Sequence, residues 1–174
     1  MSRLWCSACL VAALVLFTSV GWADEPVQTI YKGPEKARLD ALAKSQPGLG
    51  SLMAEFGNRF VDVYYAAKGQ NWGLASYQLG EMVEIVERVE KTVPDKAPML
   101  TSFEHEKIDA LKKVLFEKNW GKFHAAFKQM AEGCNNCHEA TNHPYIHFKL
   151  PSRPVESYLD FNRKTEPEEE HDED

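Results

Sequence analysis

The sequence predicts an all-α fold, a four-helix up-down-up-down bundle with a short N-terminal helix and an irregular C-terminal wrap. Three observations predict it. Apolar residues recur three and four apart over long stretches, the spacing of one helix face. No stretch alternates convincingly at the two-residue period of a strand. The string Asn-Trp-Gly occurs at residues 71–73 and again at 119–121, each time where one helix should give way to the next. That echo suggests two helix pairs joined by short turns, the organisation of an antiparallel bundle.

Taken in order, residues 24–33 read as an extended lead-in. Pro34 is suited to open a short helix to Lys44, with Leu39 and Leu42 on one side, and Gln46-Pro47-Gly48 breaks it. The first long helix should run from Leu49 to Lys68. Leu49, Leu52, Met53, Phe56, Phe60, Val63, Tyr64 and Ala67 form its apolar stripe, and Gly69 should end it in the left-handed conformation. The second should run from Trp72 to Lys91 with Asn71 as N-cap, Pro94 and Pro98 marking the connection after it. The third should run from Phe103 to Lys118, with Thr101 and Glu104 at capping-box spacing. The fourth begins after Asn119 and runs to about Thr141, with Phe123, Phe127, Met130, Cys134 and Cys137 on one stripe.

Domain boundaries follow: a secretory signal over 1–23, a lead-in and short helix over 24–48, the bundle over 49–141, a wrap over 142–164 and an acidic, disordered tail over 165–174. The signal is read from Arg3, the apolar stretch 8–20 and the small residues Gly21 and Ala23 before Asp24. Its removal takes Cys6 and Cys9 with it and leaves Cys134 and Cys137. Two cysteines two residues apart do not make a disulfide framework. The expected location is the periplasm, with no membrane contact after cleavage. A net charge of -6 argues against nucleic acid as a partner, and 174 residues are too few for a typical barrel enzyme. No constellation for hydrolysis or group transfer stands out, so the chain reads as a non-enzyme.

Cys134-Asn135-Asn136-Cys137-His138 is the C-x-x-C-H string of covalent haem attachment. Two thiols at this spacing add across the two vinyl groups of one haem. The adjacent histidine is then directed at the iron, and on a helix all three groups share a face. Two other readings stand beside it. A redox dithiol would want a βαβ setting. A structural zinc module would use Cys134, Cys137, His143 and His147, spaced C-x2-C-x5-H-x3-H, although that spacer is short for a finger.

With an export signal, four predicted helices and one C-x-x-C-H late in the last of them, the chain resembles the class II c-type cytochromes, the cytochrome c′-like group, over about residues 49–141. The resemblance implies a four-helix bundle carrying one haem c, with Cys134 and Cys137 as thioether positions and His138 as proximal iron ligand. Asn142 and His143 stand where many members carry an aromatic and an arginine. Family members leave the distal face open or ligate it with a methionine of the first helix. Here Met53 is the candidate distal ligand, and Phe56, Phe60, Tyr64, Phe127 and Met130 are candidates for the haem pocket. The implied function is single-electron transfer with an unidentified redox partner protein. The alternative is a five-coordinate haem that binds a diatomic gas, NO or CO. A homodimer is a further expectation by analogy. Lysines 112, 113, 118, 122 and 128 are expected toward the haem-bearing half, where they would steer an acidic partner.

Overall fold

The computed structural model describes residues 30–167, which fall into two units dividing between Ser45 and Gln46. The expected signal over 1–23 and most of the acidic tail lie outside the described residues. Among those described the chain is mostly helical and has no strand, only an isolated bridge between Asn71 and Thr165. No described helix is long and apolar enough to cross a membrane.

In the first unit α1 spans Glu35–Lys44, with Pro34 at its N-cap, and it buries no side chain. Its ties are local: Lys36 pairs with Asp40, and Arg38 Nε donates to the Ile30 carbonyl.

The second unit holds α2 (Leu49–Lys68), α3 (Trp72–Thr92), α4 (Ala97–Phe103), a π-helical turn (Glu104–Ile108), α5 (Asp109–Phe116) and α6 (Trp120–Ala140). The apolar stripes of the sequence become one core, containing Leu52, Phe56 and Val63 of α2, Leu79, Met82 and Val86 of α3, Ile108, Leu111 and Leu115, and Phe123, Phe127 and Met130 of α6. Aromatic rings run through it. Phe60 and Phe127 lie 4.3 Å apart, Phe127 and Phe123 5.8 Å, and Phe123 meets both Trp72 and Trp120.

Both Asn-Trp-Gly strings stand at turns between helices. Asn71 Oδ1 accepts from Leu74 N and Asn119 Oδ1 from Lys122 N, so each caps the helix that follows, as its residue type favours. The stop before Asn71 differs from expectation. Gly69 is not left-handed (φ -78°); Gln70 is, with φ 62°. Glycine is required at 69 for another reason: a Cβ there would stand 1.9 Å from the Phe161 carbonyl oxygen, where the C-terminal segment crosses the turn.

The third predicted helix starts earlier and is not regular. Pro98 belongs to the first turn of α4 rather than to the connection, since a proline there has no helical N–H to lose. Thr101 does not cap; it lies inside α4 and its hydroxyl donates to the Ala97 carbonyl and to Glu90. The π turn inserts between α4 and α5 and packs against α6. A Cβ on Gly133 would meet side-chain atoms of Phe103 and Lys107 at 3.1–3.4 Å.

After α6 the chain folds back as an irregular segment. Phe148, Leu150 and Leu159 pack on the core and Phe161 is buried in it.

Candidate cofactor site

The C-terminal third of α6 carries Cys134, Cys137 and His138, which face one cavity of about 630 Å³, within the size range of a small-molecule or cofactor site. Its other walls come from the first turns of α2 (Leu49, Met53, Phe56), from α4 and its N-cap (Lys96, Met99, Phe103), and from the returning segment (His143, Ile146, Phe148). The walls are predominantly apolar, so a large apolar group with a few polar handles suits them.

The thiols are held neutral. Burial pushes Cys134 up to about 12, the neighbouring Cys137 adding to it, and burial also raises Cys137 against the opposing pull of Lys96. A redox dithiol works through a thiolate, which wants the opposite environment. Among the described residues no three His, Cys, Asp or Glu side chains gather as a metal ion would require. His143 lines the cavity, but His147 does not, so the four-ligand zinc set is not brought together.

His138 is oriented by the backbone. Its Nδ1 lies 2.7 Å from the Ile146 carbonyl oxygen. A carbonyl only accepts, so Nδ1 carries a hydrogen, and in the neutral ring Nε2 is the nitrogen with the lone pair. This arrangement, a ring nitrogen tied to a backbone oxygen while the other is left for a metal, is the usual support of a ligating imidazole.

Of the residues expected at the site, Cys134, Cys137, His138, Met53 and Phe56 line the cavity. Phe60, Tyr64, Phe127 and Met130 do not; they are buried in the packed core, because the stripe that fills the helix interface runs on beyond the cavity. Among the lining residues that sequence reasoning missed, Met99, Lys96 and Phe148 bear on the chemistry. Met99 has Sδ 3.1 Å from Cys137 Sγ, so a second thioether belongs to the site. Lys96 brings a cation to the cavity, paired there with Asp95 at 3.2 Å, and Arg59 of α2 is engaged by Glu55, Gln78 and Glu81. Phe148 supplies a ring 5.7 Å from that of His138. Pro98-Met99-Leu100 was the available signal, an apolar run in what looked like a connection. Of the lysines expected toward this half, Lys118 pairs with Glu166 in the turn before α6, and Lys122, in the first turn of α6 and about 22 Å along its axis from Cys137, pairs with Glu117.

The residues present fit a covalently held haem: two neutral thiols, an imidazole with Nε2 free, two thioethers and apolar walls on one cavity. A scan against protein-family models finds no match, and searches of the curated proteins and of the solved structures find none either.

Proposed function

We propose that this chain is an exported monohaem c-type cytochrome, a divergent relative of the class II group with its up-down-up-down four-helix bundle, that carries single electrons in the periplasm. One observation carries the reading: the two thiols and the histidine of a C-x-x-C-H string share one apolar cavity, with Nδ1 of that histidine already committed to the Ile146 carbonyl. Haem c bound there supplies a one-electron iron couple. Cys134 and Cys137 would hold the two vinyl-derived carbons, and His138 Nε2 would ligate on the proximal side. Met53 remains the candidate sixth ligand from α2, with Met99 as its rival. Either thioether would favour the reduced state and raise the potential. Lys96 is placed to neutralise a carboxylate at the rim of the cavity.

The test is expression with the machinery that attaches haem c. The purified chain should gain the mass of one haem and keep its colour through acid–acetone extraction. Replacing both cysteines with alanine should abolish that retention. A colourless wild-type product of polypeptide mass ends the proposal. The reduced spectrum then separates electron carrier from gas binder. Sharp low-spin bands that turn high-spin in Met53→Ala assign the ligand to Met53, and bands that respond only to Met99→Ala assign it to Met99. A broad wild-type spectrum that shifts with CO favours gas binding.

A further inference from the structure

The two asparagines inside the C-x-x-C-H string have no part in attaching haem, yet Asn135 does not point idly to solvent. Its amide makes two hydrogen bonds to one residue of the returning segment. Asn135 Nδ2 donates to the Phe148 carbonyl at 2.9 Å, and Phe148 N donates back to Asn135 Oδ1 at 2.7 Å. The side chain thereby mimics the paired bonds that one strand makes with another.

The segment it grips is aimed by the end of α6. Asn142 is left-handed (φ 63°), a conformation asparagine tolerates, and His143 N donates to the His138 carbonyl at 2.7 Å while Asn142 N donates to that of Glu139. The chain is thus reversed within one turn of the iron-ligand candidate. It then runs back past it, and two residues before the Asn135 clamp the Ile146 carbonyl meets His138 Nδ1. Ile146 is 43% exposed at the edge of the cavity, and its N donates to the His143 carbonyl at 2.9 Å within the turn. The bond to His138 depends on what holds the segment on either side: the turn at Asn142 and the clamp at Phe148, whose ring packs 5.0 Å from that of Phe60.

We propose that Asn135 is a positioning residue for His138: by clamping Phe148 it holds the Ile146 carbonyl on Nδ1, which sets the ring's tautomer and rotation and leaves Nε2 facing the cavity. The tautomer lock stands on this chain's own contacts; only its use in ligating iron rests on the haem reading.

Without the clamp, the segment hinges at Asn142 and the carbonyl leaves Nδ1. The neutral ring is then free to move its hydrogen to Nε2, the nitrogen needed as ligand. In the full chain prepared without haem attachment and labelled with ¹⁵N, long-range nitrogen–proton correlations of His138 should show hydrogen on Nδ1 in the wild type. In Asn135→Ala the Nε2-protonated or averaged pattern should replace it. Asn135→Asp keeps the acceptor for Phe148 N and loses the donor, so it should fall between. In the haem-loaded chain, exchange of the Nδ1 hydrogen with solvent should accelerate about tenfold or more in Asn135→Ala, with the attached haem mass unchanged. A merely structural asparagine would move neither signal.

Retention of the Nδ1 hydrogen in Asn135→Ala overturns the inference. Should that variant lose its helical signal, Asn135→Asp decides in its place, and a pattern identical to wild type has the same force. A wild-type chain that never acquires haem defeats the cytochrome reading but leaves the tautomer result to stand or fall alone.

Discussion

The two ends of the helical unit are built on opposite terms. At the end where α2 turns into α3, the C-terminal segment and the turn are tied by hydrogen bonds. Asn71 Oδ1 accepts from Leu74 N and Thr165 Oγ1, its Nδ2 donates to the Asp160 carbonyl, Gly73 N donates to Thr165 Oγ1, and Lys164 Nζ donates to the Gly69 carbonyl. The C-terminal segment lies so close that a methyl on Gly69 has no room. At the other end, two thiols, an imidazole and two thioethers stand around a cavity, Met99 Sδ touching Cys137 Sγ at 3.1 Å. One end is finished by the chain's own atoms. The other spends apolar surface on walls, and an apolar cavity is destabilising unless something fills it. The difference marks the cavity end, where burial is incomplete and polar atoms converge, as the place for the proposed cofactor.

The comparison is sharpened most by filling the cavity. Attachment of haem should slow amide exchange in the last two turns of α6 and the first turns of α2 by about a hundredfold or more, and change the Asn71 turn far less. Uniform slowing along the chain would show that the two ends do not differ in local stability.

At the closed end, Gly69→Ala should cost about 2–3 kcal/mol in denaturant unfolding, as the Phe161 crossing is forced away. An unchanged midpoint would mean that the crossing is loose. The two asparagine caps should then differ. Asn71→Ala breaks the cap and two further bonds and should cost about 2 kcal/mol, whereas exposed Asn119→Ala loses the cap and should cost about 1 kcal/mol. Equal losses would reduce Asn71 to a simple cap.

Between the ends lies a smaller, pH-dependent effect. Asp62 is buried, and its Oδ1 has no hydrogen-bond partner. Burial first, then the neighbouring Glu156, push its pKa from 3.8 up to about 6; Glu55 adds to this and Arg59 opposes it. A carboxyl whose pKa is higher in the folded state binds more protons there, so its stabilising contribution is full below about pH 4 and is lost as the pH rises through 6. Asp62→Asn should be more stable than wild type above pH 6, by about 1 kcal/mol, with the gap closing near pH 4. A pH-independent difference in melting midpoints would remove Asp62 as its cause.

Local signals carried much of this reading. The bounds of α2 and the start of α6 follow from apolar spacing and from caps, which involve neighbours a few residues apart. Cys134, Cys137 and His138 were legible because attachment chemistry demands an adjacent string. Met99 was not, since it reaches Cys137 across 38 positions from a stretch in which Pro98 looked like a break. Asn135 carried no signal either, because an asparagine in a helix is unremarkable until Phe148 comes back to meet it.

By itself the sequence determined the helical class, the stripes that fuse into a core, and the thiol–thiol–imidazole set, all properties of residues at short range along the chain. Tertiary structure alone decided which methionines and which lysine reach the cavity, why position 69 must be glycine, and which nitrogen of His138 is free. These depend on backbone atoms of remote segments, and a carbonyl oxygen has no letter in a sequence; its position exists only once the chain has folded.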